Sequence, residues 1–189
     1  MIIALRIKVF FILLLQIGTV LKGEEIRFKH ITVDDGLSQN TVNCIFQDSK
    51  GFVWIGTQQG LNRYNGYDYK IFSHEPNNPN TLSHNWIWDI FEDSRHHIWI
   101  STWNGLSCYS PETGIFVNYF PDSTDQNSIS GSRPTSVCED KNGFIWIGTW
   151  GGGLNRFDPE NSKFRHFTGD AKNKPGVFMR TIFIDKDNN

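Results

Sequence analysis

From residue 41 onward the chain alternates short apolar runs with clusters of Asp, Asn, Gly and Ser, a pattern of short strands joined by tight turns. The first strands are predicted at Thr41–Gln47, Ile87–Glu92, Thr135–Glu139 and Thr181–Ile184. Each carries adjacent apolar residues: Ile45/Phe46, Ile90/Phe91, Val137/Cys138 and Ile182/Phe183. A strand apolar on both faces is expected to be buried on both. An Asp-x-x-Gly turn follows, its Asp capping backbone amides and its Gly taking a positive φ. Next come a Trp-centred strand (Phe52–Thr57 and its counterparts) and a third beginning Gly60-Leu61, Gly105-Leu106 or Gly153-Leu154. The fourth strands are predicted at Tyr67–Ser73, Ile115–Phe120 and Lys163–Thr168.

These segments are one cassette written three times and begun a fourth. Asp48…Trp54-Ile55-Gly56-Thr57 returns as Asp93…Trp99-Ile100-Ser101-Thr102 and as Asp140…Trp146-Ile147-Gly148-Thr149. The Trp-to-Trp spacings are 45 and 47 residues, and Asp185 follows Asp140 by 45. A period near 45 with four short strands per repeat predicts an all-β fold, a β-propeller of four-stranded antiparallel blades. It is incomplete here, with about three blades plus the start of a fourth. The blade-like repeats fall at 37–81, 82–128 and 129–174, with the start of a fourth at 175–189. Residues 26–33 resemble the end of a blade and are expected to form a ring-closing outer strand, the whole partial propeller occupying 24–189. Known rings need at least four blades. The chain is therefore expected to need further blades of the same propeller to cover its apolar faces.

Antiparallel order places the fourth-to-first linkers and second-to-third loops on one face of the disc. Asn85-Trp86 and Ser132-Arg133 thus share a face with Gln58-Gln59, Trp103-Asn104 and Trp150-Gly151-Gly152, where the repeats differ most.

The Asp-x-x-Gly-φ-φ-Trp-Ile-Gly-Thr core, the Gly-Leu-Asn-Arg-Tyr/Phe third strand and the opening Ile31-Thr32-Val33-Asp34-Asp35-Gly36-Leu37-Ser38 resemble the two-component regulator propeller repeat. The likeness covers residues 26–189. It implies seven-bladed propellers in the extracytoplasmic sensor of a hybrid two-component regulator. In that family a membrane helix, histidine kinase, receiver and DNA-binding domain follow, and many members respond to oligosaccharides. It also implies a homodimer in the full-length sensor, with the parent anchored in the inner membrane and this region in the periplasm. Repeat two departs from the pattern, with His96-His97 at the turn, Ser101 for Gly and Ser107-Cys108 for Asn-Arg.

Composition adds a leader and removes some partners. Arg6 and Lys8 precede an apolar run from Val9 to Leu21, and Gly23 is a small residue at a plausible cleavage point. Residues 1–23 are read as a signal peptide, since a membrane span needs roughly 20 apolar residues; an uncleaved anchor is the alternative. The 18 basic and 20 acidic residues leave a net charge of −2. With no basic block or stripe, this region is not expected to bind nucleic acid. Three cysteines make no disulfide framework and are read as small buried residues.

Trp54, Trp99 and Trp146 are expected in the core. Trp103 and Trp150 stand where repeat one has Gln58, either plugging a gap between blades or exposed for recognition. An aromatic ring beside amides and an arginine suits a pyranose. The candidate ligand-binding residues are therefore Asn85, Trp86, Trp103, Asn104, Arg133 and Trp150, with an oligosaccharide as the expected ligand. Trp88 alternates with Trp86, so one of the pair is expected to face the channel or the loops. His96-His97 are adjacent and suit a solvated turn better than a shared metal. Asp185-Lys186-Asp187 reads as another turn rather than a calcium loop. No catalytic set, metal or cofactor is expected, and the chain is not read as an enzyme in itself. A secreted propeller enzyme of the streptogramin-lyase-like type, with His74 and His84 as its histidines, is one alternative. A protein-interaction propeller is another.

Overall fold

The computed structural model describes residues 28–167, 178–185 and 187. Within these lie three antiparallel four-stranded sheets, each meandering in chain order. The first holds β1 (Val42–Gln47), β2 (Val53–Thr57), β3 (Gly60–Tyr64) and β4 (Tyr69–Phe72). The second holds β5 (Ile87–Glu92), β6 (Ile98–Thr102), β7 (Leu106–Ser110) and β8 (Ile115–Tyr119). The third holds β9 (Pro134–Glu139), β10 (Ile145–Thr149), β11 (Gly153–Asp158) and β12 (Lys163–Phe167). The fold is thus all-β, as the repeat predicts.

Each blade is locked by one aspartate. Asp48 accepts the amides of Lys50 (3.0 Å) and Phe52 (2.9 Å) on Oδ1 and the Trp54 indole N–H on Oδ2 (2.7 Å). Asp93 repeats this with Arg95, His97 and Trp99, and Asp140 with Asn142, Phe144 and Trp146. One carboxylate therefore closes the turn and satisfies the indole that the core would otherwise strand. Asp187 donates its amide to Asp185 Oδ1 (2.9 Å), the same first step of a turn in a fourth register.

The tryptophans then staple neighbouring blades. Trp54 stacks on Phe72 and meets Tyr109 of the second blade edge-on, both at 5.7 Å. Trp99 stacks on Tyr119 (5.9 Å) and meets Phe157 of the third blade edge-on (5.4 Å). At the opposite rim, Ser49 presents its amide and hydroxyl to the Glu92 carboxylate, both at 2.7 Å, and Ser94 does the same to Glu139.

The departures in repeat two compensate one another. Elsewhere an arginine lies over the phenylalanine after the turn: Arg63 over Phe52 (4.6 Å) and Arg156 over Phe144 (4.1 Å). In the second blade His97 replaces the phenylalanine and Cys108 the arginine, and the His97 ring lies 3.4 Å from Asp93. His96 occupies the glycine position with φ 64° and bonds Glu92 and Ser49, both at 3.0 Å. The two imidazoles face different partners, as a solvated turn requires. Ser107 replaces the asparagine that accepts the linker serine amide in the other two blades (Asn62 from Ser38, Asn155 from Ser130), accepting the Ser83 amide (3.0 Å) and donating to Asn118 (2.7 Å).

Two expectations about strands are corrected. Ile45 is 67% exposed, whereas its equivalents Ile90 and Val137 are each 5% exposed. The latter pack against a preceding blade, while Ile45 faces the side with none among the described residues. Thr181–Ile184 forms no strand, because each first strand pairs only with the second strand of its own blade and no such partner for it lies among the described residues. Of the expected closing strand at 26–33, residues 26 and 27 lie outside the described residues. Residues 28–32 are not in a strand, and Val33–Asp35 form a 3-10 turn capped by Thr32. The leader at 1–23 and residues 168–177 likewise lie outside the described residues.

Candidate functional site

The innermost strands β1, β5 and β9 each carry an irregularity near their first residues, at Asn43, Trp88 and Thr135. A bulge re-aims its side chain out of the ladder. Asn43 uses this freedom to donate to Ile87 O in the next blade (2.8 Å), and Thr135 donates to Met179 O (2.6 Å). In β5 the freed position is a tryptophan. The lateral bond there comes from Asp89, whose Oδ2 accepts the Val137 amide (3.0 Å).

The loops above these bulges extend the inner ladders. Trp103 N–H donates to Trp86 O (2.9 Å), and Trp150 N–H donates to Arg133 O (2.8 Å). Blades are tied across by Gly60 N–H to Asn85 O (2.8 Å) and Gly105 N–H to Ser132 O (2.6 Å). Linkers and second-to-third loops therefore share a face, as strand parity predicts.

Between bulges and loops lies a cavity of about 600 Å³, within the size range of small-molecule sites. Its lining includes Trp88, Trp103 and Trp150 with Asp89, Arg133 and Arg180. Trp88 and Trp103 are each 37% exposed and Trp150 is 50% exposed. Trp86, Trp88 and Trp103 form one aromatic cluster with centroids 5.4–6.0 Å apart. The Arg133 guanidinium lies over the Trp103 ring at 4.1 Å, and Trp150 contacts Phe178 at 5.0 Å. Burial pushes the Asp89 carboxyl above its ordinary range, opposed by the Val137 and Ile90 amides and the Ser136 hydroxyl.

Of the six residues singled out from sequence, Trp103, Arg133 and Trp150 line this cavity, and Trp86 packs behind Trp103. Asn85 is a linker brace instead, its Oδ1 accepting the His74 amide at 2.6 Å. Asn104 is exposed, and its amide bonds Thr102 Oγ1 (3.2 Å). Sequence reasoning left out Asn43, Asp89 and Arg180 and placed Trp88 only as far as the channel or the loops. The signal for Trp88 and Asp89 was a polar or aromatic break in an otherwise apolar inner strand.

Other chemistry-bearing groups are held by backbone. His74 Nδ1 lies 2.7 Å from Leu82 O, and His84 Nδ1 accepts the Trp86 amide (2.9 Å). Burial, reinforced by nearby His74, lowers the His84 pKa. Burial pushes the Cys44 and Cys108 thiols up to about 12 and Cys138 to about 11, which favours their protonated form near neutral pH.

Residues 36–59, 81–104 and 128–151 match the two-component regulator propeller family, one match for each blade. The chain carries two-component regulator propeller repeats. It is similar to the extracellular domain of the hybrid two component system BT3049 from B. thetaiotaomicron. That likeness has a TM-score of 0.69 and 27% identity, over 74% of this chain and 20% of the other. The corresponding domain of BT4673 from the same organism gives 0.63 and 26%, over 82% and 20%. A 56-residue stretch is 43% identical to Histidine kinase P4 of Formosa agariphila, covering 30% of this chain and 4% of that protein. The chain thus spans about a fifth of the solved domains it matches and a small fraction of the curated kinase. Its blades are homologous to extracellular domains of hybrid two-component systems.

Proposed function

We propose that this chain is the N-terminal part of an extracytoplasmic ligand-sensing propeller in a hybrid two-component regulator, responding to an oligosaccharide. Residues 1–23 would export it to the periplasm, and the kinase chemistry would reside in other parts of the protein. The observation that carries the reading is the 600 Å³ cavity at the inner strands, which combines exposed tryptophans with an arginine pair and hydroxyl and amide side chains. Flat apolar rings beside mixed donors and acceptors match a pyranose, which is apolar on its faces and polar on its edge. Ligand binding would favour one arrangement of paired sensors, by as much as its affinity differs between the arrangements.

The likeness to extracellular domains of hybrid two component systems supports this reading over a secreted enzyme. So do His74 and His84, whose Nδ1 atoms are each engaged by backbone, at Leu82 O and the Trp86 amide. Calorimetry of the full-length protein against an oligosaccharide panel tests it. Binding should be lost or weakened at least tenfold by Trp150→Ala, the loss expected when one stacking ring goes. Unchanged affinity in that variant would remove the cavity from the sensing site.

A further inference from the structure

The polar half of the cavity is more specific than a general sugar site requires. The Arg133 guanidinium carbon lies 4.1 Å from the centre of the Trp103 ring, a cation–π contact that holds the charge at the cavity wall. No carboxylate lies within ion-pair distance of Arg133 or Arg180 among the described residues, and both line the cavity. The acid in the lining, Asp89, accepts the Val137 amide and forms no ion pair with either arginine. Two arginines without acid partners, on the wall of a tryptophan-lined cavity, form a receptor for an anion carried on a ring. The polyol character comes from the remaining wall, where Ser136 and Thr181 present hydroxyl side chains.

Resting on the sensing reading above, we infer that the cavity recognises an acidic saccharide, one bearing a carboxylate or a sulfate ester. Arg133 binds the anionic group through its edge, Arg180 adds a second positive charge, and the sugar ring lies on Trp88 or Trp150. Trp103 is then a positioning residue rather than a stacking platform, because its ring holds Arg133 in place.

The test is calorimetry of the full-length protein with four probes. Tetragalacturonate is paired with its fully methyl-esterified counterpart, and a sulfated disaccharide with its desulfated form. Circular dichroism and urea melts check that each variant is folded. The acid form of at least one pair should bind roughly tenfold or more tighter than its neutral partner, as charge-assisted arginine contacts require. The preferred pair identifies the anion. Arg133→Gln should abolish the preference, Arg133→Lys should restore part of it, and Trp103→Ala should lower it without adding to the effect of Arg133→Gln. Equal affinity for acid and neutral forms overturns the inference and leaves the sensing reading intact. So does a preference that survives Arg133→Gln. Failure of all four probes to bind overturns the acidic-saccharide inference, whereas the sensing reading falls only if the whole oligosaccharide panel fails to bind.

Discussion

Asp93→Asn tests the bond on which every blade depends. The Asp93 side chain is fully buried, with Oδ1 accepting two turn amides (3.0 and 2.9 Å) and Oδ2 the Trp99 indole N–H (2.9 Å). The carboxamide oxygen of asparagine can keep the turn amides. Its NH2 then faces the indole N–H, donor against donor. A hydrogen bond to a charged group contributes about 1.5–3 kcal/mol, and an indole left buried without an acceptor costs about 1–3 kcal/mol more. The substitution should destabilise by about 3 kcal/mol. Trp99→Phe removes the opposing donor as well as part of the ring. Asp93→Asn should therefore do less harm when Trp99→Phe is already present, with a coupling of about 1.5 kcal/mol in the double-mutant cycle. Urea unfolding followed by far-UV circular dichroism reads this without relying on tryptophan emission. A coupling below about 0.3 kcal/mol, the usual scatter of independent sites, would refute the claim that aspartate and indole act as one unit.

Gly56→Ala should cost about 1–3 kcal/mol through overpacking. Its Cβ would lie 2.5 Å from Cys44 Sγ and 2.6 Å from Ile87 Cγ2; a urea midpoint equal to the parent's would contradict the close packing of β1, β2 and β5. Glu92 and Asp89 should give opposite pH responses. Burial alone would raise Glu92, but the Ser49 hydroxyl and amide and His96 together hold its pKa low. Its contribution is present above the ordinary carboxylate range and lost as pH falls through the depressed value. Glu92→Gln should flatten that acid limb in pH-dependent melts. Asp89, raised by burial, binds its proton more tightly folded than unfolded, so its effect on stability worsens as pH climbs through the raised value. Asp89→Asn should remove that slope. The three thiols should resist iodoacetamide in mildly alkaline buffer in the native protein and react faster on unfolding; rapid native labelling of Cys44 or Cys108 would contradict their protonated, half-buried state.

What the sequence made legible follows its own periodicity. The Asp-to-Trp interval of six residues recurs unchanged in all three repeats, and it marks both the turn and the core. The Ser49–Glu92 and Ser94–Glu139 clasps were not read from the sequence, because their bonding joins neighbouring repeats and shows only in three dimensions. Parity of strand direction sorted the loops to the correct face without any side-chain knowledge. The burial of Ile45 could not be read this way, since it depends on whether a blade stands beside it. The cavity was half legible. Trp103 and Trp150 stood out because repeat one has glutamine there. Trp88 and Asp89 enter through a bulge, which breaks the alternation by which inward and outward positions are counted. Arg180 comes from a separate segment that only the fold brings to the cavity.

A crystal structure of the full-length protein with an acidic oligosaccharide soaked in bears most directly on the cavity as the ligand site. The account predicts saccharide density between Trp88 and Trp150, with the anionic group on the edge of Arg133. Density confined to another surface, such as the outer groove between His74 and Asn118, with the inner cavity holding only water, would contradict it.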